Sequence, residues 1–133
     1  ALVRRTAEDM EEIYAYRSMR FALVDEGPLT ARMNPSLAAS LVSNLLKNAY
    51  VHGDKGGTVS VTVAPHELRV CNSSGGGALD AEHIFERFYQ GTKKEGSTGL
   101  GLSIVDAVCR LYGLRVGYSY INRCHCFSVH FRI

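Results

Sequence analysis

The sequence predicts a single domain in which α-helices are layered on β-strands. Stretches with apolar residues at helical spacing are interspersed with short β-rich runs, and the 133 residues are 46% hydrophobic. A chain of this size buries roughly two-thirds of its unfolded surface in one core. The net charge of +2 gives no indication of a nucleic-acid partner. No run approaches the ~18 apolar residues of a membrane span, so we expect a soluble cytoplasmic fragment.

The first two elements are predicted to be a helix and a strand. Apolar residues recur at helical spacing from about residue 3 to residue 20. They are Val3, Ala7, Met10, Ile13 and Tyr14. The next segment, RFALVDEG, is typical of a short strand that ends at a turn.

The segment NPSLAASLVSNLLKNAYVH predicts a long helix. Asn34 is suited to cap its N-terminus, Pro35 to its first position and Gly53 to its end.

A polar row borders the apolar arc of this helix. It consists of Asn44, Asn48 and His52, each four residues after the one before. A solvated boundary row is one interpretation, but asparagine is a weak helix former and is unusual twice inside a helix. An amide oxygen is a ligand that Mg²⁺ accepts beside phosphates, and an imidazole offers a flat face to a purine. We therefore interpret the row as part of a binding site.

The segment GTVSVTVAPHELRVCNS predicts a hairpin that turns near Pro65. Its second strand runs into SSGGGALD, where three consecutive glycines allow a ligand to lie against the backbone. Asn72 at the strand end is placed to contact such a ligand, and a flexible turn is the alternative. A short helix, LDAEHIFERF, and a polar loop, YQGTKKEGST, follow.

The segment GSTGLGLSIVDAVCRLYG predicts a helix that begins with glycines. Gly99 and Gly101 leave backbone N–H groups bare at a helix N-terminus, which favours a phosphate. The spacing fits neither the P-loop nor the dinucleotide-binding fingerprint. LRVGYSY and RCHCFSVHFRI then predict a second hairpin.

The four cysteines do not predict a zinc site. In the last strand, alternation directs Cys124 and Cys126 to one face and His125 to the other. We expect Cys71, Cys109 and these two to be reduced cytosolic thiols.

Four segments in this order resemble the catalytic ATP-binding domain of bacterial sensor histidine kinases: NLLKNAYVH, the glycine loop, IFERFYQG and GSTGLGLSIV. These kinases act in two-component signal transduction and belong to the GHKL superfamily with the Hsp90, gyrase and MutL ATPases. The resemblance extends from about Leu2 to Phe131. It implies an α+β fold, a two-layer α/β sandwich of Bergerat type, with a mixed sheet of about five strands and three main helices on one face. It further implies one domain over residues 1–133, excised from a longer kinase.

The resemblance also implies roles for individual residues. Asn48 matches the Mg²⁺ ligand, Asn44 lies near the phosphates, His52 packs on adenine, and Asn72 takes the place of an aspartate that accepts from the adenine amino group. The lid contributes an aromatic pair, Phe85 and Phe88, and three cations, Arg87, Lys93 and Lys94. The phosphate-facing glycine loop and hinge comprise Gly75, Gly76, Gly77, Thr98, Gly99, Leu100, Gly101 and Leu102. Core packing is an alternative for the phenylalanines, and a solvated loop is one for the lysines.

Three departures from the family pattern bear on nucleotide affinity. Asn72 replaces a charge-assisted bond to the base with a neutral one, roughly half as strong. The loop SSGGGAL differs from the more usual D-x-G-x-G, and Val51 stands where a basic residue is frequent.

Position 44 bears on the reaction. The hydrolysing ATPases of the superfamily carry a glutamate there as general base, whereas Asn44 cannot take a proton from water. The resemblance therefore implies that Asn44, Asn48 and Arg87 position Mg-ATP for transfer of the γ-phosphate to a histidine on a separate phosphoacceptor and dimerisation domain. That histidine context, H-E-x-x-x-P, does not occur in this chain.

We accordingly expect a fragment that is monomeric, is not inserted in a membrane and binds nucleotide without autophosphorylation. The full-length receptor is expected to be a homodimer, an inner-membrane sensor with this domain in the cytoplasm and a response regulator downstream. A relay module that has lost ATP binding and a serine kinase of the anti-sigma type are the alternative functions.

Overall fold

The computed structural model describes residues 2–15, 18–29, 32–54, 56–73 and 101–131. The elements in these ranges are α1 (Leu2–Ile13), β1 (Arg20–Asp25), α2 (Pro35–His52), β2 (Thr58–Ala64), β3 (Glu67–Ser73), α3 (Gly101–Tyr112), β4 (Arg115–Ile121) and β5 (Cys124–His130). Within this part of the chain, no helix is both long and apolar enough to span a bilayer.

The five strands form one mixed sheet in the order β1-β2-β3-β5-β4. β1 and β2 are parallel, which requires the crossover that α2 supplies, and the other neighbours are antiparallel. Alternate residues of β2, β3 and β5 are buried and join helix residues in one core. These sheet residues are Val59, Val61, Leu68, Val70, Phe127 and Val129. The predicted α+β sandwich with a five-stranded mixed sheet is confirmed.

Helix α2 begins and ends where the sequence predicts. The Asn34 side chain accepts hydrogen bonds from the backbone of Ser36 and Leu37, at 2.8 and 3.3 Å, and Pro35 follows as the first helical residue. Gly53 ends the helix with a φ of −77°, which any residue can adopt. Glycine is needed there for space, because an added Cβ would lie 2.5 Å from Cε of Met19 and 2.8 Å from the carbonyl oxygen of Ala49.

Helix α1 is shorter than predicted. It ends at Ile13, and Ile13 itself is 59% exposed, so the predicted stripe is wrong at that residue. Ser18 has a φ of +55°, a turn conformation that separates α1 from β1. Tyr14, just after the helix, stacks on Tyr50 of α2 with ring centroids 5.5 Å apart.

Both predicted hairpins are confirmed. β2 and β3 join through a turn at Pro65 and His66, and β4 and β5 through Asn122 and Arg123. The latter two residues have φ values of +53° and +60°, as a type I′ turn requires at both central positions.

The cysteines depart from the expectation that all four are reduced. Cys71 and Cys126 are directly opposite each other on β3 and β5 and form a disulfide. Cys109 is a buried free thiol and Cys124 a half-buried one. The predicted alternation along β5 is confirmed, since His125, Phe127 and Val129 are buried while Cys124 and Cys126 are half-buried.

Candidate functional site

The polar row predicted on α2 lies along the edge of the buried face of the helix. Asn44, Asn48 and His52 are half-buried, whereas Leu45 and Ala49 beside them are buried. Eight residues of helix separate the first and last members, an axial rise of about 12 Å. The row therefore offers two amides and an imidazole along one line.

The amide of Asn44 is oriented by the preceding turn of its own helix. Its Nδ2 donates to the carbonyl oxygen of Ser40 at 2.7 Å and to Oγ of Ser40 at 3.2 Å. Because the nitrogen bonds back to Ser40, the oxygen Oδ1 is directed toward α3. A Cβ added at Gly101, the first residue of α3, would lie 3.4 Å from this oxygen.

The glycine at the start of α3 keeps this contact open. A methyl group at position 101 would only touch Oδ1 of Asn44, but a longer side chain would cover it. The first N–H groups of a helix lack partners within the helix, and the positive end of the helix dipole lies there. An amide oxygen and helix N-terminal donors are thus close together, an arrangement suited to a cation and an anion bound side by side.

Asn72 marks the other end of the row. It is the penultimate residue of β3 and is 1% exposed, and neither Oδ1 nor Nδ2 has a hydrogen-bond partner among the residues that the structure describes. A Cβ added at Gly53, next to His52, would lie 3.4 Å from Cβ of Asn72. Leaving a buried polar group unpaired costs about 1–3 kcal/mol, so an unpaired buried amide beside a polar row indicates a ligand.

Sequence reasoning missed the neighbour of Asn72 in the sheet. His125 of β5 is opposite Asn72 in the strand register and is 4% exposed. Its Nδ1 lies 2.7 Å from Oη of Tyr118 on β4. Alternation placed His125 on the buried face, but only the strand order, with β3 next to β5, brings it beside Asn72.

The structure separates the predicted residues into two groups. Asn44, Asn48, His52, Asn72 and Gly101 border the same region of α2, while the side chain of Leu102 packs against the core. The others lie outside the described residues: Gly75, Gly76, Gly77, Phe85, Arg87, Phe88, Lys93, Lys94, Thr98, Gly99 and Leu100. The predicted short helix LDAEHIFERF and the loop after it also fall outside them.

Two buried titratable groups lie in the neighbouring core. Burial raises the pKa of Tyr50 to about 12, with a further contribution from the charge of Glu11. Burial raises the pKa of Cys109 to about 11, and Asp106 adds to that shift. Both groups stay protonated near neutral pH, so neither supplies a base for chemistry at the polar row.

The donor set of the described site suits magnesium better than a transition metal. Within the described ranges, no group of three or more His, Cys, Asp or Glu residues could hold a metal ion. A metal at the polar row would depend on amide oxygens, water and phosphate oxygens. Magnesium is bound in this way, with few protein ligands and several from the substrate.

Comparisons with known proteins agree on one family. The family described as histidine kinase-, DNA gyrase B- and HSP90-like ATPase matches residues 33–132. The sensor histidine kinase RppB of Synechocystis is 39% identical over 94 residues, which cover 64% of this chain and 21% of RppB.

Two solved structures share the fold. The mycobacterial sensor histidine kinase MprB superposes with a TM-score of 0.78 at 20% identity, covering 96% of this chain and 91% of that one. Full-length ShkA in complex with AMPPNP gives a TM-score of 0.78 at 25% identity, covering 96% of this chain and 28% of that one.

Proposed function

Because the chain belongs to the family of histidine kinase-, DNA gyrase B- and HSP90-like ATPases, we propose that it binds Mg-ATP and transfers the γ-phosphate to a histidine on a separate domain. ATP binding and a kinase role agree with the family and with relatives that are sensor histidine kinases. The histidine acceptor, the magnesium ion and the roles of individual site residues go beyond what the family and these relatives establish.

One observation carries the proposal: the amide row of α2 meets the glycine start of α3. The approach of Gly101 to Oδ1 of Asn44 brings an oxygen ligand and helix N-terminal donors to one point. Asn48 would hold Mg²⁺, while Asn44 and the start of α3 would lie near the phosphates. Magnesium would neutralise charge on the transferring phosphoryl group.

The residues at the opposite end of the row are suited to bind the base of the nucleotide. His52 would present its ring to a purine, and the unpaired amide of Asn72 would bond the base edge. The separation of about 12 Å along α2 between Asn44 and His52 keeps the phosphate and base ends apart. A nucleotide would then lie along the row, with lid residues Arg87, Lys93 and Lys94 as further phosphate contacts.

Position 44 favours transfer over hydrolysis. Nδ2 of Asn44 donates to Ser40, and an amide has no basic lone pair to remove a proton from water. The γ-phosphate would therefore persist until an imidazole nucleophile reaches it, and a neutral imidazole needs little activation near pH 7. The chain's own residues would contribute position and charge neutralisation.

The wider architecture is inferred from relatives. This chain spans about a fifth of RppB, so the phosphoacceptor domain, homodimerisation, the response regulator and the membrane sensor all belong to the proposal. On this proposal residues 1–133 form one domain, which as a separate fragment is monomeric, cytoplasmic and unable to phosphorylate itself. ShkA was crystallised with an ATP analogue, which supports nucleotide binding here.

Calorimetry with AMPPNP tests the proposal. We expect saturable binding that needs Mg²⁺, and a loss of at least about tenfold in affinity for Asn48→Ala, since that change removes a metal ligand and its charge-assisted contact. Thr62→Ala, on a strand position away from the row, is the matched control and should bind as the unaltered chain does. No heat at millimolar nucleotide contradicts the proposal and favours the relay module.

A second experiment identifies the acceptor. The chain is mixed with radiolabelled ATP and a separately produced phosphoacceptor domain, and the label is tested for acid lability. Acid-labile, base-stable label indicates phosphohistidine, as we propose. Acid-stable label on a partner would instead indicate the serine kinase.

A further inference from the structure

The unpaired amide of Asn72 has a chemical property that a carboxylate lacks. It is 1% exposed, and both of its polar atoms lack partners within the described part of the chain. Oδ1 is an acceptor and Nδ2 carries two donors, whereas an ionised carboxylate can only accept. A carboxylate that contacts the base therefore selects bases whose edge presents a hydrogen-bond donor. An amide can pair with either a donor or an acceptor on the base.

The surroundings of Asn72 do not fix which way the amide faces. Its cross-strand neighbour on β2 is Val59, which has no polar side-chain atom. Its neighbour on β5 is His125, whose Nδ1 is engaged with Oη of Tyr118, and no bond joins His125 to the amide. The terminal torsion of asparagine is broad and roughly two-fold, so the oxygen and nitrogen can exchange places.

From this geometry we propose that Asn72 relaxes the purine specificity of the site, so that it takes 6-oxo purine nucleotides as well as 6-amino ones. The inference rests on the proposed function, in which Asn72 contacts the base. With adenine, Oδ1 accepts from the exocyclic amino group. With hypoxanthine or guanine, the amide turns over and Nδ2 donates to the carbonyl oxygen at position 6. The amide thereby gains a partner with either class of base.

Competition between ATP and ITP tests the inference, because inosine and adenosine differ at the base edge concerned. The Kd of each is measured with Mg²⁺ by displacement of a fluorescent ATP analogue. We expect the unaltered chain to bind both within about threefold, since each makes one neutral hydrogen bond to Asn72. The matched variant is Asn72→Asp, which retains the shape and removes the donor.

In Asn72→Asp the ratio of the Kd for ITP to that for ATP should rise at least about tenfold, because a carboxylate repels the carbonyl oxygen. A smaller change overturns the inference. Should the variant not fold, purine riboside triphosphate, which has only hydrogen at position 6, replaces it. The unaltered chain should bind that compound about fivefold more weakly than both ATP and ITP, and equal binding overturns the inference.

The test also separates this inference from the proposed function. If ATP displaces the probe and ITP does not, relaxed specificity is wrong and the nucleotide site stands. If neither nucleotide binds, both proposals are wrong.

Discussion

The two halves of helix α2 border regions of opposite character. The N-terminal half lines a cavity of about 580 Å³, whose walls include Ala38, Leu41 and Val42 together with apolar residues of α1 and the sheet. The C-terminal half carries Asn44, Asn48 and His52 and ends beside the unpaired amide of Asn72. The same helix thus contributes apolar packing at one end and a row of polar side chains at the other.

This difference indicates that the apolar half of α2 serves stability and the polar half serves binding. An apolar wall loses dispersion contacts beside a cavity but leaves no polar atom unpaired. An unpaired buried amide lowers the free energy of unfolding unless a ligand or water bonds to it. We therefore expect changes in the apolar half to alter unfolding and changes in the polar half to alter binding.

The largest expected effect is at the apolar end. Leu41 is 1% exposed and lines the cavity, so Leu41→Ala enlarges a space that is already present. The free energy of unfolding should fall by about 2–5 kcal/mol, measured by urea denaturation of the nucleotide-free chain. The Kd of Mg-AMPPNP for the folded variant should stay within about twofold, because Leu41 is an apolar residue outside the polar row and offers no ligand atom. A large loss of affinity would show that the two halves are coupled.

Tyr50 gives a pH-dependent effect of intermediate size. Its pKa is raised from 10.0 to about 12, so the folded state favours the protonated phenol. The contribution of Tyr50 to stability is complete below pH 10 and is lost as pH rises from 10 to 12. The decline should be on the order of 2–3 kcal/mol. Since other groups titrate there, including Cys109, the quantity measured is the difference between the unaltered chain and Tyr50→Phe. An equal decline in both would contradict the shift.

Replacing the unpaired amide should have opposite effects on stability and binding. Asn72→Leu exchanges a buried amide for an apolar side chain of similar size, so the nucleotide-free chain should be about 1 kcal/mol more stable in urea. The affinity for Mg-AMPPNP should fall by about fivefold to tenfold, because one base contact is lost. A destabilised variant with unchanged affinity would show that Asn72 serves the fold alone.

The smallest effects are expected at the start of α3. A Cβ at Gly101 would lie 3.4 Å from Oδ1 of Asn44, an ordinary contact, so Gly101→Ala should change stability by no more than about 1 kcal/mol. Gly101→Leu carries its side chain across the amide oxygen and should weaken Mg-AMPPNP binding further than alanine does. Equal affinities for the two variants, by calorimetry, would place the phosphates elsewhere.

Local features could be predicted from the sequence because their causes are local. The bounds of α2 were predicted from the cap at Asn34, the proline after it and the glycine at its end. The polar row was predicted from the four-residue spacing of its members. Alternation and turn residues likewise predicted the two hairpins. The place of Asn72 near the end of β3 was also predicted, but its burial was not.

The remaining features depend on partners distant in the sequence. The Cys71–Cys126 disulfide and the neighbouring positions of Asn72 and His125 both require β3 to lie beside β5, an order that no local pattern specifies. The predicted end of α1, near residue 20, was wrong, because the helix ends at Ile13 and the chain turns at Ser18 before β1 begins. The need for glycine at position 53 could not be predicted, because the added Cβ would collide with Met19, which is distant in the sequence.

Paramagnetic broadening by Mn²⁺ tests most directly whether Asn48 holds the metal of a bound nucleotide, with Asn44 nearby. Mn²⁺ replaces Mg²⁺ in the presence of AMPPNP, and side-chain amide signals are followed by NMR. Asn34, at the far end of α2 and about 21 Å along the axis from Asn48, is the internal control. We predict that the signals of Asn44 and Asn48 broaden strongly, only when nucleotide is present, while that of Asn34 persists. Broadening of Asn34 to the same extent, or none at Asn48, would contradict the account.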